Sequence, residues 1–213
     1  MNFKKGLDQD INELRQILKQ EAKKLKSINM RKKCFLGPTK SINRDQPNEQ
    51  KITNSENYQT CTGTQDTFYV GWLRGVGRIY QQTFIHLESG KVVVKLYDQK
   101  NPLIATDFLN RTVLPWLISQ DMHLDKVYTD RGAEYCGSRK RHPYQIYLLM
   151  KGIEHNFLEG EYAQKNRLCD SFHAAIFEQL FCSIFRYKHY ENLATIQHDI
   201  DIWLNEQNYT FYV

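Results

Sequence analysis

The residues best placed to do chemistry lie in one stretch: Thr129-Asp130-Arg131-Gly132-Ala133-Glu134-Tyr135-Cys136-Gly137. It follows a short β-type run, Asp125-Lys126-Val127-Tyr128, and opens a polar loop. An aspartate at a strand end, followed at once by glycine and charge, is poor core material. Such a position either caps a turn or takes part in function. With Asp66 upstream and Asp170 downstream, Asp130 makes a candidate set of three carboxylates for divalent metal. Hard divalent cations prefer oxygen ligands, and carboxylates supply them. The other chemistries fall away on pattern. There is no C-x-x-C, no H-x-x-x-H, no G-x-S-x-G and no P-loop. Cys169 and His173 share a helix face but lack a complementary pair for a structural zinc site, so they read as a core cysteine and a helix-surface histidine. Gly75-x-Gly77 lacks the third glycine and following helix of a dinucleotide site and reads as a hairpin turn.

Bringing the three aspartates together is the task of the elements around them. The segment Asp66-Thr-Phe-Tyr-Val-Gly-Trp-Leu73 is aromatic and β-branched, which predicts a strand. Two more strands, Ile79–Ile85 and Lys91–Tyr97, follow across the glycine-marked turns 74–78 and 88–90, so the three form an antiparallel meander. Leu103, Phe108, Leu109, Val113, Leu114, Trp116 and Leu117 make 102–119 an amphipathic helix with a kink at Pro115. The strand ending at Asp130 comes next. Pro143–Lys151 is a helix with proline in its first turn and Gly152 past its end. Ile153–Asn156 is a short fifth strand. A long helix begins at Asn166, burying Leu168, Phe172, Ala175, Ile176, Leu180 and Ile184. A last helix covers about 190–206. Trp72, Trp116 and Trp203 lie in apolar runs and read as core.

The resulting order, β-β-β-α-β-α-β-α-α, is that of a mixed five-stranded α/β sheet with helices on both faces, the ribonuclease H-like fold. Three stretches then carry a family resemblance: Gln65-Asp66-Thr-Phe-Tyr-Val-Gly, Thr129-Asp130-Arg-Gly-Ala-Glu134-Tyr-Cys-Gly, and Gln164-Lys-Asn166-Arg-Leu-Cys-Asp170-Ser-Phe172-His173. Together they resemble the integrase core of bacterial insertion-sequence transposases, the DDE group that includes retroviral integrases. The resemblance covers residues 65 to about 205, with the third motif a looser match than the first two. It implies metal-dependent cleavage and strand transfer of DNA phosphodiesters. It also implies two Mg²⁺ or Mn²⁺ ions held by Asp66, Asp130 and Asp170, and a homo-oligomer working on paired DNA ends. Glu134 either orients its loop or is exposed.

The chain departs from that family at several positions. Asp170 stands where the family has Glu, which shortens its reach by roughly 1.5 Å, one C–C bond. Arg167 replaces a glycine, Tyr162-Ala163 replaces Ser-Pro, and His86 replaces a non-catalytic Asp. Neither the usual N-terminal helix-turn-helix nor the usual C-terminal continuation is present, so the chain reads as a truncated, partly degenerate copy. The alternative to an active enzyme is therefore an inactive remnant that binds DNA or an intact transposase. A repair or RNA-directed nuclease fits the fold but not the motifs.

The 213 residues are 41% hydrophobic and 13% aromatic, composition suited to a folded core. The chain divides into a basic helical extension (1–36), a flexible polar linker (37–64) and the catalytic domain (65–213). In the extension, Leu7, Ile11, Leu14, Leu18 and Leu25 form a short seam that either dimerises or packs on the domain. Residues 1–60 hold 13 Lys/Arg against 7 Asp/Glu, a net +6 that leaves −1 for the remainder of the +5 total. That basic arm is either a DNA-phosphate contact or a solubilising tail. Arg139-Lys140-Arg141 is either a second phosphate contact or a solvated turn. Arg131 and Lys165, beside the second and third motifs, complete the expected DNA contacts. No apolar run reaches the roughly 18 residues of a membrane span, no signal peptide opens the chain, and the scattered, odd-numbered cysteines suit reduced thiols. A cytoplasmic protein without a membrane partner is the expectation.

Overall fold

The computed structural model describes residues 58–138, 142–158 and 163–207, with side chains in the last segment from Arg167 onward, and the single helical position Gln16. The rest of the N-terminal helix, the polar segment before Tyr58, Arg139-Lys140-Arg141 and the side chain of Lys165 lie outside the described residues.

Five strands form one sheet: β1 (Gln59–Leu73), β2 (Gly77–His86), β3 (Val92–Tyr97), β4 (Met122–Thr129) and β5 (Glu154–Phe157). Their spatial order is β3-β2-β1-β4-β5. The β1–β2 and β2–β3 pairs are antiparallel, whereas β1–β4 and β4–β5 are parallel. A three-stranded meander extended by two parallel strands, each reached through a helical crossover, is the ribonuclease H-like α/β arrangement. The helices are α1 (Pro102–Phe108), α2 (Leu114–Ile118), α3 (Pro143–Lys151), α4 (Ala163–Ile176), α5 (Cys182–Tyr187) and α6 (Leu193–Gln207).

Both faces of the sheet are covered, so its central strands are buried on both sides. One core gathers Phe84, Tyr97, Val127 and Tyr135 with Phe108, Leu109, Val113 and Leu117 of the first crossover and Tyr144 and Leu148 of α3. The opposite core gathers Ile79, Ile85, Val94 and Leu96 with Cys169, Phe172 and Ile176 of α4 and Ile196, Ile200 and Trp203 of α6. Gly63 is needed inside β1 because the Phe84 ring crosses it; a Cβ there would lie 2.1 Å from Phe84 Cζ.

Four expectations are corrected. First, β1 starts at Gln59, so residues 59–64 belong to the sheet and not to a linker. Gln59 to Thr64 supply the pairing with β4 from Met122 to Tyr128, and Cys61 is buried under it. Second, the helix 102–119 is interrupted by a π-helical turn, Leu109–Val113, with Pro115 in the first turn of the next segment. Proline has no N–H to return to the carbonyl four residues back, and Leu114 N–H bonds instead to Leu109 O. A second π-helical turn, Phe177–Phe181, follows α4 and keeps Leu180 and Phe181 on the buried side.

Third, Trp72 is 65% exposed. The β1–β2 hairpin runs on past the β1–β4 pairing, and the register shifts between Tyr69 and Gly71, where Gly71 has φ 146°. That bulge turns Trp72 away from the core. Fourth, His173 is only 5% exposed and lies under the sheet. Four residues after the buried Cys169, it inherits the same inward face. The end of α3 follows expectation, with Gly152 at φ 70° as a left-handed cap.

Candidate metal centre

The site forms where β1 loses its parallel neighbour. The β1–β4 ladder is paired as far as Thr64 and Tyr128, so Asp66 and Asp130 stand level with each other beyond it. This is the carboxyl end of the parallel β1–β4 pairing, at the end of β4 and within β1, the side on which open α/β sheets place their ligands.

Asp66 is largely buried, with a side chain 15% exposed. Its Oδ1 accepts a 2.7 Å hydrogen bond from its neighbour's amide, Thr67 N–H. Its pKa is pushed up to about 6, first by burial and then by the charges of Asp130, Asp170 and Glu134, with the Thr67 amide acting in the opposite direction. The carboxylates thus crowd one another electrostatically.

Asp130 folds back on its own loop, where Oδ1 accepts from Gly132 N–H at 2.9 Å. Tyr135 N–H and Cys136 N–H both bond to Gly132 O, closing a tight turn. Gly132 is required by its neighbours: a Cβ would meet Glu134 Oε2 at 2.6 Å and Asp130 Oδ1 at 2.9 Å. Those two oxygens therefore face the same small space. Glu134 is buried, not exposed, and Lys100 Nζ reaches its Oε1 at 2.9 Å. Partial burial works against the Lys100 ammonium, yet Glu134, Asp130 and Asp66 together raise its pKa.

A buried polar network locks this loop to β1. Tyr135 OH lies 2.7 Å from Thr67 Oγ1 and donates to Gln82 Oε1. Gln82 Nε2 donates to Thr67 Oγ1, and Gln65 Nε2 donates to Gln82 Oε1 and Ala105 O. Tyr144 OH donates to Gln65 Oε1 at 2.9 Å. Thr67 thus carries the residue after Asp66, and Tyr135 fixes the loop of Asp130 to it. Below Asp130, Thr129 Oγ1 donates to the Asp130 carbonyl and meets His155 Nε2 at 2.8 Å. Burial, with the nearby His142, lowers the His155 pKa to about 4, so that ring is neutral.

Asp170 comes from α4 and is exposed. His173, one turn further, faces Asp66, with Nδ1 3.8 Å from Asp66 Oδ2. Its Nε2 lies 2.9 Å from Thr83 Oγ1 on β2, directly across the ladder from Asp66. Its ring stacks on Phe68 with centroids 4.8 Å apart. Burial lowers its pKa to about 4, which keeps it neutral. Ligand atoms of Asp66, Asp170 and His173 all lie within 4.8 Å of one another. Asp130 stands outside this tight group. Arg131 is exposed, its guanidinium 4.7 Å from the centre of the Phe157 ring.

The donor set fits a divalent cation. Asp66 and Asp170 approach one another, Asp130 and Glu134 share the space beside Gly132, and among the described residues the buried Glu134 Oε2 has no hydrogen-bond partner. Sequence reasoning missed His173, Lys100 and the Tyr135–Thr67–Gln82 network. For His173 a signal existed: Asp170 and His173 are three apart on a helix and share a face. For Lys100 and the glutamines no local pattern marks the role, because their partners come from distant strands.

Compared with known proteins, the chain matches no family model and no curated protein. Among solved structures, it aligns with a chain of the cryo-EM structure of the simian T-cell lymphotropic virus intasome in complex with PP2A regulatory subunit B56 gamma. The TM-score is 0.47 at 12% identity, over 61% of this chain and 43% of that one. The chain thus spans less than half of that neighbour's length. Among the described residues, no helix is long and apolar enough to cross a membrane.

Proposed function

We propose that this chain is the metal-dependent catalytic core of a DNA integrase or transposase of the insertion-sequence DDE type, cleaving and joining DNA phosphodiesters. Asp66, Asp130 and Asp170 are its metal-holding carboxylates, with Mg²⁺ or Mn²⁺ as the ion and two ions in the active state. The observation that carries this reading is the level placement of Asp66 and Asp130 at the ends of adjacent parallel pairing, with Asp170 brought beside Asp66 by α4. Ions bound there supply an acidified water or 3′-hydroxyl and neutralise charge building at the phosphate.

The chain's own residues do the positioning. The Thr67 amide holds Asp66 Oδ1 and leaves Oδ2 facing the site. The Gly132 amide holds Asp130 Oδ1, and Tyr135 anchors that loop to β1. Arg131 sits exposed at the same loop and is assigned to DNA phosphates, as are Arg139, Lys140, Arg141 and Lys165. Members of such a group act as homo-oligomers on paired DNA ends, and the same is proposed here, in the cytoplasm.

A second reading is favoured by one observation: Asp130 lies outside the tight Asp66–Asp170–His173 group, and Asp170 is one methylene shorter than the Glu of the resembled family. On that reading the chain is an inactive remnant that holds DNA or pairs with an intact transposase. Calorimetric titration with Mg²⁺ and Mn²⁺, together with a strand-transfer assay on DNA ends, separates the two. The enzyme reading expects binding lost in Asp66→Asn and Asp130→Asn, and strand transfer by the native chain. Binding without strand transfer, with transfer appearing in Asp170→Glu, supports the remnant. Binding that no variant alters rules out the three-carboxylate metal site.

A further inference from the structure

Three ligand atoms meet here, two carboxylate oxygens and one imidazole nitrogen. We infer that His173 is a direct metal ligand, making Asp66, Asp170 and His173 a mixed nitrogen–oxygen site for a divalent transition ion such as Mn²⁺. This rests on the proposed metal reading of the carboxylates and adds to it a ligand that the DDE resemblance does not supply.

The geometry carries the assignment. Asp170 and His173 lie one turn apart on α4, so both side chains leave the helix on one side. Asp66 meets them from β1, with Oδ2 3.8 Å from His173 Nδ1. Two ligands on one cation at about 2.1 Å stand at most about 4.2 Å apart, so this pair already fits. The group as a whole spans up to 4.8 Å. Closing it takes about 0.6 Å, within reach of a small rotation of the exposed Asp170.

The far side of the ring is built as a ligand's support. A metal-bound imidazole usually donates its other N–H to a fixed acceptor, which sets its tautomer and orientation. Thr83 Oγ1 lies 2.9 Å from Nε2. A hydroxyl oxygen has two lone pairs, so Thr83 can accept from Nε2–H as well as from Gln81 Nε2, which reaches it at 2.9 Å. That tautomer leaves the Nδ1 lone pair facing Asp66. Phe68, stacked on the ring with an interplanar angle of 17°, fixes its plane. Access comes from an open cleft of about 390 Å³ lined by Phe68, Asp170, His173, Ala174, Phe177 and Glu178.

The nitrogen decides the class of ion. Mn²⁺ shares with Mg²⁺ a preference for carboxylate oxygens, yet it takes an imidazole more readily than Mg²⁺, which keeps an all-oxygen shell and its waters. His173 therefore biases this half of the site toward Mn²⁺ over Mg²⁺.

The test is pulsed electron paramagnetic resonance on the full chain with ¹⁵N-labelled histidine and one equivalent of Mn²⁺. The expected result is a ¹⁵N coupling from one directly bonded imidazole, lost in His173→Asn. By calorimetry, His173→Asn should weaken Mn²⁺ binding about tenfold or more and Mg²⁺ binding much less. Bound Mn²⁺ without ¹⁵N coupling in the native chain, which needs no variant to fold, overturns the assignment. So does a coupling that survives in a folded His173→Asn. If Asp66→Asn and Asp170→Asn abolish binding while the native chain shows no coupling, only the His173 ligand falls. If neither aspartate variant alters binding, the carboxylate reading falls with it.

Discussion

Asp66 and Asp130 stand level on neighbouring parallel strands, each just past the last paired residues, Thr64 and Tyr128. One consequence is that the Asp130 carboxylate raises the cost of ionising Asp66. Burial is the larger cause, and together they push the Asp66 pKa up to about 6 from 3.8. A carboxyl whose folded pKa lies above its unfolded value binds more protons when folded. The Asp66 contribution to metal-free stability is therefore greatest at acid pH. It falls as pH rises from about 4 through about 6, and is lowest at neutral pH. At 1.36 kcal/mol per unit, the penalty at pH 7 is about 3 kcal/mol. Asp66→Asn should remove it: the variant is more stable than the native metal-free chain at pH 7, by up to about 3 kcal/mol, and equal to it near pH 4. Thermal melts with chelator across that range check this, and a flat difference between the two proteins refutes it.

Gly132 sits where Asp130 Oδ1 and Glu134 Oε2 leave no room for a methyl group. Gly132→Ala must displace one or both carboxylates, and site geometry tolerates only about 0.5 Å. The expected outcome is a loss of Mg²⁺ and Mn²⁺ affinity on the order of tenfold or more, with the fold retained because the methyl group would meet side-chain carboxylates and not backbone. Calorimetry gives the affinity and circular dichroism the fold. Unchanged metal affinity in a folded variant would remove Asp130 from the site.

Tyr135 is fully buried and joins the Asp130 loop to β1 through Thr67 Oγ1 and Gln82 Oε1. Tyr135→Phe keeps the ring, which packs edge-on against Tyr144, and deletes only the hydroxyl. Leaving buried partners short of a hydrogen bond costs about 1–3 kcal/mol. Denaturant unfolding should show that loss with an unchanged slope. A neutral substitution would mean the network does not hold the loop.

Much of this arrangement was legible before the fold was known, for identifiable reasons. Asp130 is legible because it ends a β-forming run and leads straight into glycine and charge, Asp66 because its motif pairs with that one in the resembled family, and the element order follows from clean alternation and from Gly75, Gly90 and Gly152. What stayed hidden lacked a local signature. Gln59 to Thr64 are mostly polar, and only Cys61 betrays their burial, so the start of β1 read as linker. Trp72 looks like core by composition, and only the register shift at Gly71 shows why it is exposed. His173 was judged against Cys169 as a zinc pair, whereas its partner is Asp66, brought in from a strand more than a hundred residues away in sequence.

Gly63 gives the sharpest packing test. It pairs with His86 on β2, and the fully buried Phe84 ring lies over it, 2.1 Å from where a Cβ would be. A ring held on all sides by the core has no free rotamer to escape into. Gly63→Ala should therefore cost about 1–3 kcal/mol by overpacking, more than glycine-to-alanine changes in open strands. The cause is local and can be relieved: Phe84→Leu makes room for the methyl while leaving a smaller apolar side chain. In the double variant the two losses should combine to less than their sum, a coupling of about 0.5–3 kcal/mol. Additive losses in denaturant unfolding would mean that the ring and the glycine do not meet, and that β1 and β2 are not in this register.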